Sequence, residues 1–456
     1  MKDVLNTLFK LEENNTSLRT EMVGGITTFM TMSYIIFVQP AILFAAGMDK
    51  GAVMLATCVS SALATLLMGI LAKYPIALAP AMGHNIFFSI IVCGAAPIGM
   101  GYSWQVALGA VFISGTVFII LSILRVWGKL VEAVPNSIKY GVAVGIGLLI
   151  ALIGLEYGGI VVKTPPPSTG TTDVLVMMGE LTSKPVLMVF FGVALTSILM
   201  ALRVPGAILI GIVATALLGL PLGIVKYHGL VAAPPSISPT LFKLDIIGAL
   251  NTGLISVVFV FFFLDLFDTV GTLMGVSVPA GFLKNGKLPR ANQAMFSDAV
   301  GTVTGALLGT STVTSYIESS TGISQGARTG LANIFTALLL LLAIFFSPLV
   351  EMFGGAFVTT SMGNELVLRP VIAPPLIIVG YLMMKSVTLI DWEDVTEAIP
   401  AFLTIIVMPL SLSITEGISF GFIAYSLLKL VTGRGKEVHW IIYLFAILFI
   451  VRYFIT

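Results

Sequence analysis

The chain has 456 residues, of which 57% are hydrophobic and 10% are charged. Soluble domains carry about 25% charged residues, so this composition excludes a soluble protein and indicates an integral membrane protein. The formal net charge of +1 at pH 7 gives no indication of a nucleic-acid partner.

A membrane-crossing helix needs about 20 apolar residues, and this criterion divides the chain into about 14 segments. We therefore predict an all-α polytopic membrane protein with spans at 22–47, 52–72, 77–95, 103–127, 137–156, 185–202, 206–223, 246–278, 292–310, 314–325, 328–350, 364–385, 398–414 and 416–432. The remaining apolar stretch, 439–455, predicts an extra C-terminal helix near the cytoplasmic face, with a fifteenth span as the alternative.

The distribution of basic residues predicts how the chain is oriented. The first 21 residues are polar, with no apolar core and cleavage site, so no signal peptide is predicted. Lys and Arg cluster on alternate loops, which predicts an inner (plasma) membrane protein with both termini in the cytoplasm. The cytoplasmic set is Lys2, Lys10, Arg19, Lys73, Arg125, Lys129, Lys139, Arg203, Lys284, Lys287, Arg290, Arg328, Lys385, Arg434 and Lys436. The opposite loops hold Lys50, Lys163, Lys184, Lys226 and Lys243.

Two of the predicted segments are interrupted. The third contains Tyr74-Pro-Ile-Ala-Leu-Ala-Pro80-Ala-Met-Gly83-His-Asn85, and the tenth runs from Gly309 to Gly322 with many Ser and Thr residues. Because proline and β-branched residues disfavour helix, each predicts a short extended stretch followed by a half-helix. They occupy the third position of each seven-span half. This arrangement predicts two inverted repeats with a transporter binding site between the interrupted segments.

Asp265 and Asp268 lie in an otherwise apolar eighth segment. A carboxylate inside a bilayer costs several kcal/mol, and the three-residue spacing places both groups on one helix face, which Thr269 and Thr272 extend. This face is expected to line a polar cavity. Two ionised carboxylates would repel each other, so at least one is expected to hold a proton. The alternative is a structural hydrogen-bond network, and the division of roles between the two stays open.

Three motifs resemble those of the nucleobase transporter superfamily of xanthine/uracil permeases, in its adenine/guanine/hypoxanthine branch. They are Ala79-Pro-Ala-Met-Gly-His-Asn85, Asp265-Leu-Phe-Asp-Thr-Val-Gly-Thr-Leu273 and Gly309-Thr-Ser-Thr-Val-Thr-Ser-Tyr-Ile-Glu-Ser-Ser-Thr-Gly322, and the resemblance covers nearly the whole chain. The resemblance implies a secondary active transporter, not an enzyme, that imports a purine nucleobase by proton symport. It implies no cofactor, and related transporters suggest a homodimer through the gate domain.

The resemblance also implies a core domain that moves against a gate domain. The corresponding divisions are a cytoplasmic segment (1–21), core (22–130), gate (131–245), core (246–350), gate (351–432) and a C-terminal helix (433–456). By the same resemblance, substrate binding and proton coupling map to Asn85, Asp265, Asp268 and Glu318. The branch commonly has Gly and Leu where this chain has Ala81 and His84, which leaves the exact purine open.

Each of these residues has a recognisable chemistry. Glu318 begins the tenth half-helix, where its carboxylate could accept two adjacent N–H groups of a purine or could merely cap the helix. Asn85 could match a base edge or tie the broken helix together. His84 is either structural or a source of pH dependence. Weaker candidates are Asp298 (coupling or packing) and the potential stacking partners Phe87 and Tyr316. The three histidines show no metal-ligand spacing.

Rival functions would each require a particular set of residues. Two aspartates with hydroxyl groups could ligate sodium instead of a proton. An anion transporter of the same architecture would need neutral or cationic groups where Glu318 stands. An intramembrane aspartyl protease would need its aspartates on different helices, whereas Asp265 and Asp268 share one. The sequence has no nucleotide-binding loop, which disfavours an ATP-driven pump.

Overall fold

The computed structural model describes residues 8–95, 99–124, 134–163, 176–250, 255–277, 280–282, 288–361 and 364–455. Five of the predicted cytoplasmic cations, Lys2, Arg125, Lys129, Lys284 and Lys287, lie outside these ranges. Within them the chain is mostly helical, and seven helices are long and apolar enough to cross a membrane. Five further apolar helices in the same ranges are shorter, at 10–17 residues.

The first half of the chain contributes helices α1 to α8 and strands β1 to β3. The helices are α1 (Leu18–Met32), α2 (Ile35–Phe44), α3 (Lys50–Leu67, extended by a π-helical turn to Ala72), α4 (Met82–Ile86, extended likewise to Val92), α5 (Trp104–Ile123), α6 (Asn136–Tyr157), α7 (Lys184–Ala201) and α8 (Ala207–Gly219). The strands are β1 (Leu78–Pro80), β2 (Val161–Lys163) and β3 (Val176–Met178). Strands β2 and β3 pair as an antiparallel hairpin.

The second half contributes helices α9 to α18 and strands β4 to β6. The helices are α9 (Ile246–Ala249), α10 (Ile255–Ser277), α11 (Ala291–Leu308), α12 (Ser319–Ser324), α13 (Leu331–Ala343), α14 (Ser347–Gly354), α15 (Ala373–Met384), α16 (Val395–Ser411), α17 (Ile414–Val431) and α18 (Trp440–Ile455). The strands are β4 (Val313–Ser315), β5 (Phe357–Ser361) and β6 (Asn364–Leu368).

Two predicted spans differ from the observed elements. The prediction began a span at residue 364, but residues 364–368 form strand β6 of a hairpin with β5, and the helix begins at Ala373. Hydropathy alone does not distinguish a short apolar strand from a helix, which explains this error. The predicted span 246–278 contains the short helix α9 and the long helix α10, and residues 251–254 between them lie outside the described ranges.

The structure confirms the extended stretches predicted in the third and tenth segments. Strand β1 precedes α4, strand β4 precedes α12, and the two strands pair antiparallel with Leu78 opposite Ser315 and Pro80 opposite Val313. All six strand residues are buried. The two halves of the chain are therefore joined by backbone hydrogen bonds at the centre of the molecule.

Side chains satisfy the outer edges of this two-stranded sheet. Thr65 of α3 accepts a hydrogen bond from Leu78 N at 2.9 Å, and Thr302 of α11 donates to Val313 O at 2.9 Å. The Asn333 amide of α13 donates to three backbone carbonyls, two of which are Tyr74 O at 3.1 Å and Ile76 O at 2.8 Å. Open sheet edges are not tolerated in contact with lipid, so these three polar side chains allow an extended backbone at this depth.

The helices pack in two groups. In the first, α11 packs against α3 and α5, and α13 packs against α1 and α3. In the second, α6 packs against α15 and α16, α16 against α17, and α7 against α8 and α15. Fewer contacts join the groups, chiefly between α10 and α6 and between α8 and α1. The chain thus forms two helical units that meet along a limited surface.

Charged side chains tie the end of the second group together. Lys429, only 1% exposed, lies 2.8 Å from the Glu397 carboxylate, and Arg434 donates to Asp394 at 2.6 Å. Hydrogen bonds from Thr396 and Arg434 hold the pKa of Asp394 well below its usual range. These contacts join α16, α17 and the segment leading to α18.

The C-terminal helix α18 is formed as the sequence predicts, and it packs between the two groups. Phe445 lies 4.5 Å from Phe263 of α10 and 6.0 Å from Phe422 of α17, both measured between ring centroids. The ring of Phe449 also packs against the rings of Phe259 in α10 and Phe422 in α17. The helix therefore contacts both the acid-bearing helix α10 and the second group.

Close contact between α1 and α12 depends on glycine. A Cβ added at Gly322 would lie 2.1 Å from Thr28 Oγ1 and 2.3 Å from the Gly24 carbonyl oxygen. We expect Gly322→Ala to destabilise the protein by about 1–3 kcal/mol through overpacking, measured as a lower thermal unfolding midpoint of the detergent-purified protein. Gly271→Ala is the control, because no described atom lies within 4 Å of a Cβ there. Equal unfolding midpoints for both variants would contradict the prediction.

Candidate functional site

A cavity of about 540 Å³ lies where the paired strands meet α6, α10 and α15. This volume is within the range typical of small-molecule sites, about 300–1,000 Å³. Its lining is mainly apolar, and its polar lining residues are Tyr34, Asn136, Lys139, Tyr140, Asp268, Thr272, Thr314, Ser315, Tyr316, Glu318 and Ser386. The cavity reaches the molecular surface near Asn136 and Leu389, which are exposed.

Glu318 lies on the cavity wall immediately before α12, as its N-cap residue. It is 6% exposed, and its Oε1 atom accepts a hydrogen bond of 2.7 Å from the Tyr34 hydroxyl. The turn at Ser33 and Tyr34 separates α1 from α2, and this break places the tyrosine ring against the cavity. Glu318, a site residue that the sequence indicated, therefore lies beside the cavity together with Tyr34, which the sequence did not indicate.

Asp268 also lines the cavity, with its side chain 19% exposed. The Thr272 hydroxyl lies one helical turn further on and within hydrogen-bonding reach, and Glu318 is close enough to interact electrostatically. His84 Nδ1 lies 3.9 Å from Asp268 Oδ2, behind the cavity wall. Two carboxyl groups thus face one partly enclosed space, where simultaneous ionisation is unfavourable.

Asp265 points away from the cavity although it shares helix α10 with Asp268. It is fully buried and lies against the Asp298 carboxyl group and the Thr302 hydroxyl. Asp298 accepts a hydrogen bond of 2.9 Å from Thr269, whose hydroxyl also contacts that of Thr314 at 2.7 Å. The structure therefore places Asp265, Asp298 and Thr269 in a buried polar cluster between α10, α11 and β4.

Asn85 is fully buried and is not among the residues that line the cavity. Its amide donates to Gln39, and its carbonyl oxygen accepts from Ser311. Gln39 in turn donates to Thr310 at 2.9 Å. Of the two roles that the sequence left open for Asn85, these contacts favour the structural one, in which the amide ties α4 to α2 and to the segment before β4.

The two aromatic candidates have different surroundings. Phe87 is buried and packs edge-on against Phe261, with 5.0 Å between ring centroids, so it belongs to the apolar core. Tyr316 lines the cavity, and its hydroxyl donates to the Pro80 carbonyl at 2.5 Å. The Tyr316 ring lies 6.4 Å from that of Tyr34. These two tyrosines form an aromatic side of the cavity next to the carboxylates.

The arrangement suits a small planar ligand that donates hydrogen bonds. Hydrogen bonds from N–H groups to an ionised carboxylate are charge-assisted and therefore strong. The tyrosine rings offer flat apolar surface. Among the described residues, no group of three or more His, Cys, Asp or Glu side chains is arranged to hold a metal ion. The described side chains at the cavity therefore offer hydrogen-bond acceptors and aromatic surface.

Broken helices that meet at a cavity inside a bundle of helices long enough to cross a membrane are typical of membrane transporters. The transmembrane domain of a cyanobacterial bicarbonate transporter, BicA, has the same fold, with a TM-score of 0.60 at 16% identity over 89% of this chain and 97% of that one. The sequence also matches the permease family of the xanthine/uracil type over residues 19–420. The chain therefore belongs to this family and is a multi-pass membrane transporter rather than an enzyme.

Two relatives match this chain along almost their whole length. The adenine permease AdeP of Escherichia coli (strain K12) is 43% identical, over 98% of this chain and 96% of its own. The guanine/hypoxanthine permease PbuG of Bacillus subtilis (strain 168) is also 43% identical, over 99% of each chain. The family resemblance inferred from the three motifs is confirmed.

Proposed function

We propose that the protein imports a purine nucleobase together with a proton. The observation that carries the proposal is the pairing of two cavity carboxylates, Asp268 and Glu318, with the aromatic surface of Tyr34 and Tyr316. A purine is flat and presents adjacent ring and exocyclic donors and acceptors, so its N–H groups can meet the carboxylates while its ring lies against the tyrosines. The names of the relatives, adenine and guanine/hypoxanthine permeases, support the same substrate class.

Glu318 is the proposed substrate-binding carboxylate. It stands at the start of α12, where the positive end of the helix stabilises an anion, and its carboxylate can accept two N–H groups side by side. Asp268 is the proposed proton carrier, because it faces Glu318 across the cavity and is partly accessible. The Asp265–Asp298 pair is the second candidate proton site, since two adjacent buried carboxyl groups are unfavourable when both are ionised.

Alternating access is proposed to occur by movement of a core domain against a gate domain, each built from parts of two inverted seven-span repeats. The two groups of helices support this division, because contacts within each group exceed those between them. The antiparallel pairing of β1 with β4 supports repeats of opposite orientation. A homodimer through the gate domain remains a prediction.

The cavity opening supports an inward-facing state. Asn136 and Leu389 are exposed residues of the cavity lining, and the nearby Lys139 and Lys385 belong to the basic residues that the positive-inside rule assigns to the cytoplasm. The proposed location is the inner membrane, with both termini in the cytoplasm. A substrate would then leave the site toward the cell interior from the conformation described.

The proposed function is tested by uptake of labelled adenine, guanine and hypoxanthine into cells that lack their own purine permeases. We expect at least one base to accumulate, and accumulation to stop when a protonophore collapses the proton gradient. Asp268→Asn is expected to abolish gradient-driven accumulation, because an amide does not carry a proton at this position. The control is Asp391→Asn, in an exposed loop between α15 and α16.

Two results would contradict parts of the proposal. If accumulation continues after the proton gradient collapses and requires sodium instead, the coupling ion is sodium and proton symport is wrong. If none of the bases accumulates although the protein reaches the membrane, the substrate class is wrong.

A further inference from the structure

Tyr34 is a residue of the site that no sequence motif indicated. It is 1% exposed, although the edge of its side chain contributes to the cavity wall. Its hydroxyl lies 2.7 Å from Glu318 Oε1, across 284 residues of sequence. The break between α1 and α2 lets this side chain project toward the start of α12.

Among the described residues, Tyr34 is the residue whose side chain donates a hydrogen bond to the Glu318 carboxylate. The neighbouring phenol of Tyr316 is directed to the Pro80 carbonyl instead. Tyr34 thus engages Oε1 of a carboxylate that lines the cavity, and the carboxylate keeps further lone pairs for a ligand. A phenol–carboxylate hydrogen bond is charge-assisted, and such bonds are stronger than bonds between neutral groups.

Orientation matters because the terminal torsion of glutamate is soft. The last side-chain torsion of Glu has a broad, roughly two-fold distribution, unlike the staggered torsions of the aliphatic chain. A hydrogen bond to one oxygen restricts rotation of the carboxylate plane, whereas a carboxylate without such a bond rotates more freely about its last torsion. Discrimination between similar ligands is strong when the polar groups of a site are held in position and a wrong ligand leaves them unpaired.

We propose that Tyr34 is a positioning residue that fixes the plane of the Glu318 carboxylate and thereby determines which purine bases the site accepts. The inference rests on the proposed function of Glu318 as the substrate-binding group. Because Tyr34 acts through Glu318, removing the Tyr34 hydroxyl weakens binding of the preferred base and widens the range of accepted bases. The Glu318 carboxylate itself remains.

The experiment is concentration-dependent uptake by Tyr34→Phe, with adenine, guanine and hypoxanthine as substrates and as competitors. We expect the KM for the preferred base to rise by about 10-fold, as expected for one hydrogen bond to a charged group, with Vmax changed less than about 2-fold. The ratio between the inhibition constants of preferred and disfavoured bases is expected to shrink. The control is Tyr381→Phe, which removes an exposed phenol hydroxyl of α15 outside the cavity lining and should leave both the KM and the order of preference unchanged.

An unchanged KM and an unchanged order of bases in Tyr34→Phe would overturn the inference, and so would a loss of Vmax alone. If Tyr34→Phe fails to reach the membrane, Glu318→Asp tests the same contact, because the shortened carboxylate withdraws from the phenol. Retained discrimination in Glu318→Asp would then overturn the inference. The wild-type uptake assay decides separately whether the proposed function holds, so the two failures are distinguishable.

Discussion

Nucleobase uptake is expected to fall by at least about 100-fold when Glu318 is replaced by glutamine. The amide keeps the shape of the side chain but replaces one acceptor oxygen with a donor, so either the Tyr34 hydroxyl or a substrate N–H loses its partner. One hydrogen bond to a charged group contributes about 1.5–3 kcal/mol, so a single such loss accounts for an effect of about 100-fold, which corresponds to about 2.7 kcal/mol. The measurement is initial uptake of labelled base at a concentration below KM.

The matched control for this prediction is Glu351→Gln. Glu351 carries the same substitution at an exposed position, where its carboxylate lies 3.1 Å from Lys50. Surface ion pairs contribute about 0–1 kcal/mol, so this variant is expected to transport normally. Uptake by Glu318→Gln within about 3-fold of wild type would show that the cavity carboxylate is not needed for substrate binding.

The second large effect is a loss of folding stability, which we expect when Glu21 is replaced by alanine. Glu21 of α1 is fully buried, and its carboxylate accepts hydrogen bonds from Arg328 N at 2.8 Å, Thr329 N at 3.2 Å and Ala332 N at 3.2 Å. Ala332 N is one of the orphan N–H groups in the first turn of α13, and Arg328 N and Thr329 N belong to the segment just before its N-cap residue, Gly330. Each buried donor left unsatisfied costs about 1–3 kcal/mol, so we expect a total loss of about 3–5 kcal/mol.

The measurement is the yield and thermal unfolding midpoint of the protein purified in detergent. Glu21→Gln keeps one acceptor oxygen and is expected to lose less stability than Glu21→Ala. Glu13→Ala is the surface control, because Glu13 pairs with Lys10 outside the helical bundle with its side chain 67% exposed. A Glu21→Ala protein that unfolds at the wild-type temperature would refute the capping role.

The interrupted segments could be predicted because their signals are local. Pro75 and Pro80 limit the backbone near β1, and the run of Ser and Thr residues before Glu318 has little preference for helix. Asp268 and Glu318, which the sequence indicated as candidates, both line the cavity in the structure. The extended stretches could be predicted because each one depends on residues within a single segment.

Other parts of the site depend on contacts between distant segments and were not predictable. Asp265 and Asp268 are three residues apart and share a broad helix face, but the angular offset between them directs Asp268 to the cavity and Asp265 to Asp298. The contacts of Tyr34 and Glu21 cross 284 and 307 residues respectively. Spacing along one helix does not determine which neighbouring helix will face each side chain.

The pairing of β1 with β4 has a consequence for synthesis of the protein. Leu78 and Ser315 are paired although they lie 237 positions apart in the chain (315 − 78). At about 5–20 residues per second, the ribosome needs roughly 12 to 47 s to make the partner strand. During this interval the backbone N–H and C=O groups of β1 lack the strand with which they pair. We therefore expect the insertion machinery to keep this segment away from lipid until the second half of the chain has been made.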